Sequence, residues 1–291
     1  MVANTSKMDA VLNPMYIEGF MLEKLNPTMN FIGLFGNPTN LGNSTTFKYF
    51  ENDTSFEDDI TSGVLSEPVE FSEGSTLPEI EISGFSSKVG DLTKFGFKMS
   101  FTEELREQEH LYNFVQRTLE GGAYAMERKI NRDIYNNLVN NAGAATITLN
   151  DGAWDDSTAI DKDLKALQRA MDIIGYKHNL TDAFVGKDSY YGAEDFFDAT
   201  FEKGFTPNDL FGTSLHKVNE VSSGLLGIDL PSRPAEVFYR HQDKYSSYKN
   251  SFIHVDRYET QGQPHNLVIE VWAQMGFAVY DPKGIVYQEG V

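Results

Sequence analysis

From Leu111 to Leu138 the apolar residues recur in steps of three and four: Leu111, Val115, Leu119, Gly122, Met126, Ile130, Ile134 and Leu138. That spacing lays them along one face of an α-helix. Ser100 and Glu103 form a capping box ahead of the run, with Thr102 as an alternative cap, and Asn140-Asn141-Ala142-Gly143 supplies a stop. At 1.5 Å per residue the helix would be roughly 60 Å long, beyond the ~8–20 residues of most globular helices. Such a length suits a coiled coil, a membrane span or an architectural strut. Arg117, Glu120, Arg128 and Arg132 flank the stripe and exclude the membrane span. Tyr112, Phe114 and Tyr124 widen the contact face beyond a coiled-coil seam. A strut within a mixed fold is therefore expected, and Gly121-Gly122 is a natural place for it to bend.

Ahead of the helix the period is two. Phe95, Phe97 and Met99 share one face, and Lys94, Gly96 and Lys98 share the other. Val69 and Phe71, the polar turn Ser72-Glu73-Gly74-Ser75, then Ile80 and Ile82 predict a two-stranded ribbon, which needs a surface to rest on. Before Thr46 the chain is punctuated by Asn13-Pro14, Asn26-Pro27 and Asn37-Pro38 and by Gly33, Gly36 and Gly42. It reads as an extended arm with one short helix between Tyr16 and Leu25, unable to bury much by itself.

Beyond Gly143 the pattern changes to an α/β unit. Ile160, Leu164, Leu167, Met171 and Ile174 mark an amphipathic helix stopped by Gly175. The run Asp182-Ala183-Phe184-Val185-Gly186 reads as a buried strand leading into a short helix from Asp188. The stretch 204–234 reads as loops with short strands. Residues 251–258 and 266–287 supply closing strands, and Asp281-Pro282-Lys283-Gly284 has type I turn chemistry.

Composition narrows the function more than it identifies it. A formal net charge of −19 excludes a basic nucleic-acid binder, because an acidic protein repels phosphate. With no cysteine there are no disulfides, thiolate metal sites or cysteine nucleophiles. Without a signal-peptide pattern or a long apolar run, a soluble chain made in a cytoplasm is expected.

The chain carries no G-x-S-x-G elbow, P-loop, H-E-x-x-H or dinucleotide glycine fingerprint. His110, His178, His216, His241, His254 and His265 are scattered without ligand spacing and read as surface or loop residues. Asn150-Asp151-Gly152 with Asp155-Asp156 resembles a fragment of a calcium loop but lacks its alternation and terminal glutamate. The clusters Glu57-Asp58-Asp59 and Glu79-Ile80-Glu81 lie on the expected ribbon, which favours a solvated or partner-facing role over paired catalytic carboxylates. No catalytic, cofactor-binding or metal-ligating residue is assigned, no cofactor is implied, and the chain is expected not to be an enzyme.

The order of these elements, with Lys94-Phe95-Gly96-Phe97-Lys98-Met99-Ser100-Phe101-Thr102-Glu103-Glu104-Leu105 as a strand-into-helix junction and Gly276-Phe277-Ala278-Val279-Tyr280-Asp281-Pro282 as a closing strand and turn, resembles the Hong Kong 97-type major capsid protein of tailed viruses. The resemblance implies an α+β fold made of an N-terminal arm (1–46), an E-loop ribbon with flanking strands (47–99), the spine helix of a peripheral domain (100–143), an axial domain (144–250) and closing strands of both domains (251–291). It implies a subunit that self-assembles through pentamers and hexamers into an icosahedral head in the virion, put together in the host cytoplasm around double-stranded DNA that it does not read by sequence. Separate scaffolding, portal and decoration proteins are the implied partners. Two departures stand out. The ribbon is reached by about residue 50, which leaves no room for the long scaffolding segment of some relatives. No lysine lies between Asp53 and Ser87 to crosslink the ribbon, so contacts between subunits are expected to be noncovalent.

Two rivals remain at this level. An encapsulin-like nanocompartment would use the same fold around an enzyme cargo. A carboxylate-dependent hydrolase would show a monomer with a deep acidic cleft.

Overall fold

The computed structural model describes residues 12–25, 30–52, 85–102, 111–143, 157–174, 178–200, 212–218, 224–249, 251–260 and 266–288. They fall into two compact units. Unit 1 draws on Met1–Phe47, Val89–Tyr135 and Glu236–Ala278, and unit 2 on Lys48–Lys88, Asn136–Ala235 and Val279–Val291.

Unit 1 is organised on β10 (Asn266–Val279), a strand of 14 residues. It pairs antiparallel with β4 (Thr93–Thr102) on one side and with β9 (Ile253–Glu259) on the other. The sheet continues through β8 (Ala235–Tyr239) to the short parallel β1 (Thr39–Asn40). On β4 the alternation read in the sequence is the alternation observed: Met99 and Phe101 are buried, and Lys94, Gly96, Lys98 and Ser100 are exposed. The long helix α3 (Leu111–Asn140) buries Val115, Leu119, Met126, Ile130 and Ile134 within this unit. It seats closely on the sheet at Gly122, where a Cβ atom would run into the Phe97 ring. The ring of Phe101 meets Phe114 edge-on, 6.4 Å between centroids.

The segment expected to be an arm contains the short helix expected between Tyr16 and Leu25, but it is packed and not extended. Residues Pro14–Leu25 form helix α1, followed by α2 (Asn30–Leu34). Leu12, Ile17, Met21, Leu25 and Phe31 are all buried, and α1 packs on β9 of its own subunit. Pro14 opens α1 in place of interrupting it, and the distant strand β9 supplies the surface that covers this helix. A buried carboxylate fixes the register: Glu18 accepts hydrogen bonds from the Ser246 hydroxyl, from the Ser247 backbone N–H at 2.6 Å and from that of Tyr248 at 3.4 Å.

Ser100 is also corrected. It is no helix cap, since it pairs with Val268 in a ladder that runs on to Thr102 opposite Asn266. Competition from β10 for these backbone groups outweighs the local cap. Glu103 lies outside the described residues, and the described helix of 30 residues is about 45 Å long. No break interrupts α3 at Gly121-Gly122.

Unit 2 holds a four-stranded sheet in the order β11-β7-β5-β6, from β5 (Asp182–Gly186), β6 (Ser214–Val218), β7 (Leu225–Ile228) and β11 (Ile285–Gln288). Strand β5 is parallel to β6 and antiparallel to β7. Helix α4 (Ser157–Ile174) turns Ile160, Leu164, Leu167 and Met171 onto Ala183, Val185, Leu225 and Val286. Ala193 of helix α5 (Lys187–Thr200) joins that core. The turn before β11 is a short 3-10 helix, Pro282–Gly284, with the Asp281 carboxylate accepting from the Lys283 N–H at 3.2 Å.

Strands β2 (Thr46–Asn52) and β3 (Phe85–Asp91) form a separate two-stranded sheet, across which Lys88 pairs with Glu51. The ribbon expected around Val69, Phe71, Ile80 and Ile82 lies outside the described residues.

Two predictions test this packing. Ile130→Asp puts an unpaired carboxylate where the wild-type residue is only 3% exposed, and should destabilise by more than about 3 kcal/mol. Glu120→Gln, on the exposed side, should stay within about 0.5 kcal/mol of wild type; chemical denaturation separates the two. The adjacent glycines should respond in opposite directions. Gly121 has open space around it, so Gly121→Ala should stabilise by up to about 1 kcal/mol. Gly122→Val should lower the thermal midpoint by crowding Phe97.

Candidate assembly surface

Helix α3 buries one stripe and leaves an unusual opposite face. Phe114 is 52% exposed and Tyr124 58%. Arg117, Arg128 and Arg132 are exposed beside them, with Arg128 lying 5.8 Å from the Tyr124 ring centre. At spacings of three, four and seven these side chains share one side of the helix. Aromatic and arginine side chains in one exposed patch are what protein interfaces concentrate. Of the other cations on and just ahead of the helix sequence, Lys129 is engaged by Asp133 on its own helix at 2.7 Å, and Arg106 lies outside the described residues.

The histidines depart from the surface reading. His178 and His254 are buried, at 5% and 0% exposure. In unit 2, His178 directs Nδ1 at Asp229 Oδ2, 3.0 Å away, and Nε2 at Asp281 Oδ2, 3.3 Å away. The second approach is an ion-pair contact without the alignment of a full hydrogen bond. The Asp281 contact, supported by Asp229, outweighs burial and raises this imidazole to about 9. Because the two carboxylates address opposite ring nitrogens, they cannot converge on one metal ion. Also in unit 2, His216 stacks on Phe184 and meets Asp182 Oδ1 at 2.6 Å.

In unit 1, His254 lies on β9 and faces the 240–248 loop. Its Nε2 accepts the Gln242 backbone N–H at 3.0 Å, which requires a neutral ring protonated at Nδ1. The ring stacks on Trp272, which Tyr245 meets edge-on and Lys94 covers at 4.3 Å. Burial is the main cause that pushes His254 down to about 4, and the His241 charge adds to it. His241 itself reaches Ser251 O and Asp243. Hydrophobic neighbours on adjacent strands had no local signature that would have marked these two histidines as buried. His110 and His265 lie outside the described residues.

Among the described residues no group of three His, Cys, Asp or Glu is placed to hold a metal ion. The acidic clusters Glu57-Asp58-Asp59 and Glu79-Ile80-Glu81 and the calcium-loop fragment at 150–156 lie outside them. An open depression on β4 and β10 is lined by Lys94, Gly96, Lys98, Glu270 and Trp272, a single carboxylate among them. Among the described residues no helix is long and apolar enough to cross a membrane.

His254 contributes to the acid response of unit 1. A folded-state value below the unfolded 6.5 means that the unfolded chain binds the proton first, so stability is present above pH 6.5 and lost as pH falls toward 4. At pH 5 the loss from this group should approach about 2 kcal/mol. In His254→Gln that part of the acid slope should vanish in urea titrations at pH 7 and pH 5.

A family model described as phage capsid protein matches residues 86–288. No curated protein sequence matches the chain significantly. Solved structures share the fold. The virus-like particle from Pyrococcus furiosus aligns with a TM-score of 0.59 at 10% identity, covering 94% of this chain and 97% of that one. A structure from Microbacterium phage Oxtober96 aligns with a TM-score of 0.57 at 11% identity, covering 89% and 90%. The capsid of Myoviridae phage XM1 gives 0.52 at 13% identity, covering 90% and 92%. At such identities the likeness is one of fold, the Hong Kong 97-like capsid fold. The family match spans more than half of the chain, and with it the protein belongs to the phage capsid protein family, as a major capsid protein of the shell.

Proposed function

We propose that this major capsid protein builds a closed icosahedral head from pentamers and hexamers and encloses double-stranded DNA. The observation that carries the reading is the aromatic–arginine face of α3, which leaves Phe114 and Tyr124 more than half exposed in the single subunit. Membership of the family places the chain in the virion and in contact with further copies of itself. Unit 1 would serve as the peripheral domain with α3 as its spine, and unit 2 as the axial domain, with the 204–234 region near the capsomer axes. The role is architectural and not catalytic. Scaffolding, portal and decoration proteins would be separate partners, and assembly would take place in the host cytoplasm. An acidic protein would also let packaged DNA slide without adhering.

The partner for the α3 face is the 53–81 segment of a neighbouring subunit. It carries Asp53, Glu57, Asp58, Asp59, Glu67, Glu70, Glu73, Glu79 and Glu81 and no lysine or arginine. Such a segment repels itself, while Arg117, Arg128 and Arg132 attract it. Each exposed pair contributes only ~0–1 kcal/mol, so recognition comes from repetition around the shell. Contacts of this kind are noncovalent, in keeping with the lysine-free ribbon.

Electron microscopy of the purified protein tests the reading, and closed particles are the expected result. A monomer that persists across physiological salt and concentration would overturn it. Reversing Arg117 and Arg128 to glutamate should impair assembly while circular dichroism and thermal midpoint stay at wild-type values. Particle yield should also fall as added salt shortens the Debye length from ~10 Å at 0.1 M toward ~3 Å at 1 M. Normal particles from the reversed variant would instead assign the contact to apolar residues such as Val69, Phe71, Ile80 and Ile82.

A further inference from the structure

We propose that His178 is a proton-operated latch in unit 2: carrying its proton, it ties Asp229 to Asp281 and holds strand β11 in the sheet, and losing the proton releases that strand. The geometry makes this an ionic device. A neutral imidazole has one N–H, yet both ring nitrogens face carboxylate oxygens, at 3.0 and 3.3 Å. Only the imidazolium offers a proton to each. In the neutral ring one nitrogen lone pair would point at a carboxylate in a site where His178 and Asp229 are each about 5% exposed, and low solvent access strengthens that repulsion.

The two carboxylates belong to segments far apart in sequence. Asp229 follows β7, and its backbone N–H donates to Gly284 O at 2.9 Å. Asp281 precedes the 3-10 turn into β11, and its N–H, like that of Tyr280, donates to Pro234 O. His178 stands at the entrance to β5, where the Thr181 hydroxyl donates to Ile228 O and accepts from the Leu230 N–H. Gly284 leaves the space for this crossing, since a Cβ there would sit 3.1 Å from both Pro234 and Ser232 and 3.5 Å from His178 Nδ1. Strand β11 has just four residues; its ladder is with β7, and beyond that, among the described residues, its backbone is tied at the single bridge Val286–Gly143, where the Gly143 N–H donates to Ile285 O at 2.9 Å, so the strand has few backbone anchors of its own. The other charged groups of the neighbourhood are Lys283, buried on the turn itself, Arg233 after the preceding 3-10 turn, and Asp163, buried on α4, which packs against the Pro282–Gly284 turn.

The direction of the response follows from the raised titration. Below pH 6.5 the ring is protonated whether the unit is closed or open, and the latch is fully present. Between 6.5 and about 9 only the closed form keeps the proton, and the latch weakens as pH rises. Opening then releases one proton, so the opening equilibrium should shift by about tenfold per pH unit in that window.

Hydrogen exchange on the full-length protein reads this directly. Protection factors, which already correct for the intrinsic base catalysis of exchange, should fall about tenfold per unit from pH 7 to pH 9 at Ile285–Gln288, while Leu267–Ala273 of β10 stays level. In His178→Gln the Ile285–Gln288 amides should exchange faster at pH 7 and lose this pH dependence. A wild-type protection independent of pH, or the same slope in His178→Gln, would overturn the proposal. Should that variant not fold, Asp281→Asn keeps the Asp229 contact. There the midpoint of the β11 response should move down by at least one pH unit, and an unchanged midpoint would equally overturn the latch.

Discussion

The close seating of α3 against the β4–β10 sheet is the constraint that organises unit 1. A 30-residue helix can lie along a twisted sheet only where side chains yield, and it does so at Gly122, against the Phe97 ring. Within the sheet, Gly96 lets β4 and β10 come close, since a Cβ there would collide with the backbone of Val271 and Trp272. Interiors are packed to crystal density, so such contacts admit little change of volume. With one stripe of the helix committed to the sheet, the opposite face is left outward. Tyr124 and the three arginines sit there, and Phe114 beside them stays half exposed although its ring meets Phe101 edge-on.

Charge is distributed on a similar division. The net charge of −19 is spread widely and keeps separate copies from adhering indiscriminately. Against that background a few exposed arginines on one helix face form a local exception, the feature through which the proposed contacts between subunits would acquire selectivity. Inside the units electrostatics is used differently. Glu18 is held by backbone and hydroxyl donors, His178 is held charged between two carboxylates, and His254 is held neutral against Trp272. Two histidines in one chain thus respond to pH in opposite directions, one favouring the proton and the other excluding it.

The parts of the fold written in local patterns could be read before any coordinates. The α3 stripe, the helix beginning near Ile160, the strand Asp182–Gly186 and the turn at Asp281–Gly284 depend on neighbours three or four residues away at most, and each is found where its period or turn chemistry put it. The aromatics and arginines of the exposed face were also visible as flanks of the stripe, because a helical period assigns every residue to a side.

Other features depended on partners far away in sequence. The helix at Pro14–Leu25 was legible, but its burial was not, because β9, more than two hundred residues further on, is what covers it. Ser100 became a ladder residue because Val268 competes for its backbone more strongly than a capping box does. The burial of His178 and His254 followed from chain crossings that bring Asp229 and Asp281, or Gln242 and Trp272, around a ring with no neighbouring motif of its own. Local periodicity determines which side of an element is apolar. Which distant element covers that side, and what protonation state it imposes on the residues beneath, is decided only when the chain closes on itself.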